Sequence, residues 1–262
     1  MFLLIILLII IYKENIIKAY VSKAAVLVLS LMSVSAWASH WSYEGEGAPE
    51  HWGEIDSNFK TCQTGMYQSP INIEQTLKAH ILPLATHYSD GPVTLTNNGH
   101  TIQAGEKDGT KDTITLDNQA WTLQQFHFHA PAENMIHGKK FALEMHLVHK
   151  NAAGEIAVVA VMFNTGKANA ELDKLWSVMP QKAEQSTPLT THLDLNKLLP
   201  HEKTYWRYSG SLTTPPCSEG VIWIVMQHPL TLSVAQLEKF TQTMHHDNNR
   251  PVQPLHGRTV VE

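Results

Sequence analysis

Turn-forming strings recur along this chain at short intervals and limit how long any helix or strand can be. Examples are DGP at residues 90–92 and NNG at residues 97–99. Short alternating or apolar runs lie between such strings, at residues 93–96, 113–116, 122–129, 142–149, 156–163 and 221–227. Helical spacing of apolar residues is confined to residues 168–179 and 233–245. The pattern predicts one β-dominated α+β domain, with a large, twisted, mostly antiparallel central sheet and short peripheral helices.

The N-terminus differs from the rest of the chain. Residues 2–11 are all apolar, and after a charged break residues 24–34 form a second apolar run that leads to the string AWA, ending at Ala38. A basic start, a short apolar core and a small-x-small ending predict a signal peptide cleaved after Ala38, so residues 1–38 are the expected leader. The first run is surplus to such a leader. A translation start further in, for example at Val21, would make residues 1–20 an over-extended start, and a two-part membrane anchor is the alternative.

Residues 39–262 then form the mature domain, which we expect in the periplasm or outside the cell. The whole chain has a formal net charge of −5 with its histidines neutral. Because the leader is basic, the mature domain is more acidic still. Nucleic-acid binding depends on Lys and Arg, so we expect no nucleic-acid partner.

The chain has two cysteines, Cys62 and Cys217. Both lie in the part expected to be exported, where an even count suggests one disulfide. Two buried free thiols are the alternative.

The string QFHFH at residues 125–129 carries the first chemical signal. Side chains alternate faces along a strand, so Gln125, His127 and His129 share one face. The two phenylalanines between them face the opposite side, toward a core. Most of the 16 histidines in the chain are expected to be ordinary, but two imidazoles on one strand face can chelate a single ion.

A second strand strengthens the metal hypothesis. In LEMHLVH, residues 143–149, the side chains of Glu144, His146 and Val148 share one face. An adjacent antiparallel strand would bring His146 to the first pair, and three neutral imidazoles with one open position are the catalytic zinc arrangement. Gln125 and Glu144 are then the candidate hydrogen-bond acceptors for the second nitrogens of His127 and His146.

A cupin site is the competing interpretation. His127, His129 and Glu133 also match H-x-H-x3-E, in which Glu133 would be a ligand for iron or manganese. A cupin would have glycine seven residues after the glutamate, where this chain has Lys140, and the second cupin motif is missing. The cupin interpretation is therefore disfavoured.

The strings QFHFH, LEMHLVH and GSLTTPPCSEGVIWIV together resemble the α-class carbonic anhydrases, in their exported bacterial form. The strings WSYEGEGAPEHWGE, QSPINI, NNGHT and NNRPVQPLHGR extend the resemblance in the same order. It runs from about residue 41 to residue 258, nearly the whole mature chain.

The resemblance implies one Zn²⁺ per chain, held by His127, His129 and His146, with the attack of zinc-bound hydroxide on CO2 as the reaction. Carbonic anhydrase is itself the standard example of zinc lowering the pKa of bound water. Glu133 would then not be a ligand but would accept a hydrogen bond from the Thr213 hydroxyl. That hydroxyl would in turn accept a hydrogen bond from the zinc-bound hydroxide, and Thr214 would border the bicarbonate site.

The resemblance also implies how substrate and proton are handled. His100 would be the proton shuttle, since a histidine titrates near neutral pH. Tyr43, Asn98 and Gln103 would order the intervening water, and Gln103 departs from the asparagine common there. An apolar wall for CO2 would come from Val148, Val158, Leu212, Val221 and Trp223.

Other expectations follow from the same resemblance. The peptides before Pro70 and Pro216 should be cis, and a Cys62–Cys217 bridge would support the loop that carries the threonines. The substrates would be CO2 and bicarbonate, with sulfonamide-type inhibitors and weak esterase side activity expected. Bacterial relatives are often dimers, so a homodimer is open, although no interface can be read from the residues. An inactive binding module of this fold would typically lack a zinc histidine, and none is missing here.

Overall fold

The computed structural model describes residues 41–262 of the 262-residue chain. The leader expected at residues 1–38 lies outside these described residues. Among them, no helix has the length and apolar character needed to cross a membrane.

Thirteen strands and four short α-helices make up the described part. The strands are β1 Asn72–Ile73, β2 Ala85–His87, β3 Thr94–Asn97, β4 Ile102–Gly105, β5 Thr113–Leu116, β6 Gln119–His129, β7 Met135–Ile136, β8 Leu143–Lys150, β9 Ile156–Thr165, β10 Gln185–Pro188, β11 Tyr205–Ser211, β12 Glu219–Met226 and β13 Leu230–Leu232. The α-helices are α1 Trp52–Ile55, α2 Thr61–Thr64, α3 Ala170–Ser177 and α4 Val234–Met244. Single 3-10 turns occur at Gly45–Gly47, Ser57–Phe59 and Leu195–Leu198.

Eleven of these strands form one sheet, in the order β10-β3-β4-β6-β8-β9-β12-β11. Strand β13 pairs with β9, and β5 joins β2 to β6. All pairs in this sheet are antiparallel except β9–β12 and β9–β13. The expected β-dominated fold with one large central sheet is confirmed, and the two parallel pairs make the sheet mixed.

Each face of the sheet covers its own apolar cluster. Phe126, Phe128 and Met145 are fully buried in the larger cluster, as their alternation with the histidines predicts. Helices α3 and α4 pack on that cluster through Trp176 and Phe240, whose rings stack with centroids 5.7 Å apart. A smaller cluster, with Trp223 and Val158 among its members, lies on the opposite face. The site-bearing strands β6 and β8 are thereby held from behind by a continuous core.

The two helical patterns correspond to α3 and α4, each slightly shorter than predicted. Helix α4 begins after Ser233, whose side chain accepts the backbone N–H of Gln236 while the Gln236 side chain accepts that of Ser233. This reciprocal capping explains why the helix starts there. It ends at Met244, and the next residue, His245, has a left-handed backbone conformation.

The expected disulfide between Cys62 and Cys217 is present, and it joins residues separated by 155 positions. The peptides before Pro70 and Pro216 are cis, as expected, and so is the one before Pro131. The Cys217 backbone N–H donates to the carbonyl of Thr214. The disulfide thus ties the threonine loop to α2.

His149 is a buried histidine whose protonation links the stability of the core to pH. Its Nδ1–H donates to the carbonyl of Leu147, and its Nε2 accepts the Tyr88 hydroxyl at 2.8 Å. Burial lowers the pKa of His149 from 6.5 to about 3. The folded state therefore keeps this histidine neutral over a pH range in which the unfolded chain protonates it. The stability that the neutral His149 contributes is fully present above about pH 6.5 and is lost as the pH falls toward about 3.

We expect acid to destabilise the protein partly through His149. Between pH 7 and pH 5 this one group should lower the free energy of unfolding by roughly 2 kcal/mol. Urea unfolding of the metal-free protein at both pH values measures this loss. In His149→Gln the fall in the free energy of unfolding from pH 7 to pH 5 should be smaller than in the unchanged protein by roughly 2 kcal/mol. Equal losses in the two proteins would contradict the assignment.

Candidate metal centre

Antiparallel pairing of β6 with β8 brings three histidines together. His127 lies directly opposite His146 in the register, and His129 follows two residues later on the same face. One ring nitrogen from each histidine lies within 4.8 Å of the other two. His129 and His146 are buried, and His127 is half-buried. The arrangement can hold one metal ion.

The second nitrogen of each ring has a hydrogen-bond acceptor. His127 Nδ1 lies 2.8 Å from Gln125 Oε1, and His146 Nε2 lies 2.9 Å from Glu144 Oε1. These are the two acceptors that strand alternation suggests. His129 Nδ1 lies 2.6 Å from the backbone carbonyl of Asn248. Sequence reasoning missed this third acceptor, because a backbone carbonyl has no residue-type signal.

These bonds decide which nitrogens are available to a metal. An imidazole that donates from one nitrogen keeps its lone pair on the other. His127 and His129 are left with Nε2, and His146 with Nδ1. His129 Nε2 is buried without a hydrogen-bond partner in the described structure, which is costly unless a ligand completes it. The donor set therefore fits a metal that prefers imidazole, as Zn²⁺ does.

Burial keeps His127 and His129 in the form that binds metal. It lowers the pKa of His129, and it lowers the pKa of His127 together with the neighbouring charges of His129 and His146. Neutral imidazole is the ligating form, and protons compete with metal for it. The electrostatics of the site thus favour metal over protons near neutral pH.

Glu144 is a buried carboxylate that other groups keep charged. Burial alone would raise its pKa, but the charge of His146 and the hydrogen bonds from His146 and Asn134 lower it overall. Its Oε2 accepts the backbone N–H groups of Glu133 and Asn134, at 2.7 and 2.8 Å. The Asn134 amide also donates to Oε1. Asn134, which was not among the predicted site residues, therefore helps to fix the acceptor of His146.

Glu133 is buried beside two of the histidines, with its carboxylate oxygens 3.5 Å from His129 Nδ1 and 3.9 Å from His146 Nδ1. Its Oε1 accepts the backbone N–H of Arg250 at 2.8 Å. Burial raises the pKa of Glu133 to about 7, while the charge of His146, the Arg250 N–H and the nearby Thr213 hydroxyl all oppose the rise. Oε2 nevertheless has no partner at good hydrogen-bond geometry, so the Thr213 contact is a weak one in this state.

A cavity of about 140 Å³ opens in front of the site. Its lining includes the candidate ligands His127 and His129, and the polar residues Tyr43, Asn98, His100, Gln103, Gln125 and Thr214. The predicted shuttle and its three water-ordering residues thus share one cavity with the histidines. Trp41 and Thr101 also line it, although sequence reasoning singled out neither one.

His100 is held at the side of this cavity. Its ring stacks on Trp41, with centroids 3.8 Å apart and an angle of 11° between the planes. The Asn98 side chain accepts the backbone N–H groups of His100 and Thr101, at 3.0 and 2.9 Å. Asn98 therefore has a structural part in the turn, apart from any contact it makes with water.

Three comparisons with known proteins agree with this geometry. The family model described as eukaryotic-type carbonic anhydrase matches residues 47–262. The chain belongs to the α carbonic anhydrase family. A Klebsiella pneumoniae carbonic anhydrase is 66% identical over 245 residues, which cover 94% of this chain and 100% of the relative.

Solved structures of α-carbonic anhydrases are also similar to this chain. The α-carbonic anhydrase from Thermovibrio ammonificans, in complex with the inhibitor sulfanilamide, has a TM-score of 0.83 and 46% identity, over 85% of this chain and 99% of that one. The Photobacterium profundum α-carbonic anhydrase has a TM-score of 0.80 and 48% identity, over 85% and 100% of the two chains. The family assignment rules out the cupin interpretation of Glu133.

The five apolar residues that family membership assigns to a CO2 wall belong together but do not line the 140 Å³ cavity. Val158, Val221 and Trp223 are buried in the smaller cluster, with Val148 and Leu212 packed against it. Trp223 also contacts His146, with ring centroids 4.9 Å apart. Their contact with substrate stays a prediction.

Gln125 should determine metal affinity by orienting His127. In Gln125→Ala the imidazole loses its acceptor, so the dissociation constant for zinc should rise by about 10- to 100-fold. Equilibrium competition with a chelator measures it. Gln124→Ala is the matched control, because Gln124 is the exposed neighbour on β6 and its amide bonds the carbonyl of Thr122. An unchanged affinity in Gln125→Ala would show that the hydrogen bond does not orient the ligand.

Proposed function

We propose that this carbonic anhydrase hydrates CO2 reversibly to bicarbonate and a proton, with one zinc ion held by His127, His129 and His146. The observation that carries the proposal is the convergence of three imidazoles whose second nitrogens are already bonded. The unpartnered Nε2 of His129 supports it further.

When bound, zinc supplies a Lewis acid that makes water a nucleophile near neutral pH. The chain's own residues would then orient and protect that chemistry. If the Thr213 hydroxyl donates to Glu133, the hydroxyl oxygen is left to accept a hydrogen bond from the reacting oxygen. Such a relay would admit only a group that carries a proton, and it would align that group with the substrate carbon.

CO2 offers no strong hydrogen-bonding group, so its binding depends on apolar contact. We propose that Val148, Val158, Leu212, Val221 and Trp223 provide that contact, with Thr214 at the edge of the bicarbonate site. The cavity of about 140 Å³ in front of the histidines favours a small substrate, so ester hydrolysis is expected only as a weak side activity. Sulfonamide inhibition is expected as well, since the Thermovibrio ammonificans relative has been solved with sulfanilamide.

Each turnover releases a proton that must reach solvent. We propose His100 as its acceptor, with Tyr43, Asn98 and Gln103 ordering the water between. Burial, followed by the charge of Glu133, raises the pKa of Tyr43 well above its usual value. Tyr43 therefore stays protonated and can order water by hydrogen bonding without itself carrying charge.

We propose that the mature protein, residues 39–262, is exported to the periplasm or secreted. The disulfide supports this, because such bonds persist in oxidising compartments. N-terminal sequencing of the exported protein tests it: a chain that begins at Ser39 supports cleavage after Ala38, and a retained leader points to an anchor. Sedimentation of the same sample decides between a monomer and a homodimer.

Metal removal tests the activity. The purified protein should contain one zinc per chain and hydrate CO2 in a stopped-flow assay. Chelation should abolish hydration, and added zinc should restore it. His146→Ala should lose both zinc and activity, because two imidazoles remain. Hydration that persists in the metal-free protein would refute the proposal, and full zinc without hydration would point to a binding module.

Loss of His100 should slow proton release without slowing the attack on CO2. We expect His100→Ala to lower kcat in weak buffer by about 100-fold, at the lower end of the usual range for a proton-transfer group. Its kcat/KM should stay near that of the unchanged protein, and small imidazole buffers should restore kcat. His192→Ala, at an exposed position, is the control. An unchanged kcat would exclude His100 as the shuttle.

A further inference from the structure

Asn248 contacts both the histidine cluster and the turn that carries His100. It is fully buried and lies in the string NNRP, residues 248–251. Its backbone carbonyl accepts His129 Nδ1–H at 2.6 Å. Its side-chain amide donates to the backbone carbonyl of His100 at 3.0 Å. One residue therefore contacts a candidate metal ligand through its main chain and the shuttle turn through its side chain.

The remaining atoms of Asn248 fix its own position. The amide nitrogen also donates to the carbonyl of Phe128 at 2.9 Å, and the amide oxygen accepts the N–H of Ala130 at 2.8 Å. The backbone N–H donates to the carbonyl of Ala130. Because both ends of the side-chain amide are engaged with β6 and the residue after it, the amide cannot rotate without losing a buried hydrogen bond.

The two backbone polar groups of His100 have different partners. The His100 N–H donates to Asn98 inside the turn, and the His100 carbonyl accepts from Asn248 outside it. Thr101 makes a second attachment, since its hydroxyl donates to the carbonyl of Phe128 at 2.6 Å. Thr101 thus fixes the end of the turn, whereas Asn248 fixes the peptide of His100 itself.

We propose that Asn248 is a positioning residue for proton transfer, which sets the separation between the metal site and His100. The inference rests on the proposed function, in which His100 accepts the proton. Proton transfer through ordered water depends on the distance between donor and acceptor, so a loosened turn lowers its rate. The attack on CO2 does not involve the turn. Asn248 should therefore affect kcat and leave kcat/KM largely unchanged.

The variant that isolates the side chain is Asn248→Ala, which keeps the backbone carbonyl that His129 uses. We expect its kcat in weak buffer to fall by about three- to tenfold, less than complete loss of the shuttle group. Imidazole buffer should restore most of the loss, which a purely structural defect would not allow. Asn248→Ser, whose hydroxyl keeps one donor in place, is the milder variant if the alanine protein folds poorly. Asn249→Ala, the next residue in the string, is the matched control.

A double-mutant cycle with His100→Ala decides the matter. If Asn248 acts through His100, then Asn248→Ala should change kcat no further in the His100→Ala background. Independent, multiplying effects would overturn the inference, and so would an equal fall in kcat and kcat/KM, since that would place the defect at the metal. If His100→Ala alone leaves kcat unchanged, the shuttle assignment itself has failed. Zinc content measured on every variant separates metal loss from proton-transfer loss.

Discussion

The register between β6 and β8 is the constraint on which the site depends. His127 opposes His146, and two residues further on His129 opposes Glu144. A shift of one residue would reverse the faces, sending the histidines into the core and Phe126 and Phe128 into the cavity. The buried phenylalanines therefore do more than stabilise the sheet. Their burial excludes the register in which the three imidazoles could not meet.

Hydrogen bonds around the site convert that register into a specific set of ligand atoms. Gln125, Glu144 and Asn248 each take one ring nitrogen of a histidine, so the opposite nitrogens are left for metal. Glu144 is itself surrounded by donors, which keeps a buried carboxylate charged beside His146. A buried charge of this kind is tolerable only when it is fully hydrogen-bonded. The hydrogen bonds to Glu144 thus offset the cost of burying its charge.

The sequence predicts the features of the site that depend on neighbouring residues, and not those that depend on contacts between distant parts of the chain. Alternation along QFHFH and LEMHLVH predicts the ligand face, the core face and the two side-chain acceptors, because strand periodicity is local. Strands β4 and β11 went unpredicted. Strand β4 alternates buried and half-buried residues over only four positions, and β11 has no regular alternation. Asn248 could not be assigned by pattern either. Its carbonyl and its amide act across 119 and 148 positions of chain, and only the folded topology creates such contacts.

The same long-range character explains how the C-terminal segment and the disulfide take part in the site. Arg250 is buried, and its guanidinium donates to the carbonyls of Ser69 and Cys62 while its backbone N–H donates to Glu133. Burial lowers its pKa to about 10, and the nearby charge of Glu133 opposes that change. Because Cys62 is bonded to Cys217, Arg250 connects Glu133 to the segment that also holds the threonine loop. The groups proposed to orient the nucleophile are therefore attached from two sides, Glu133 through Arg250 and the threonine loop through the disulfide.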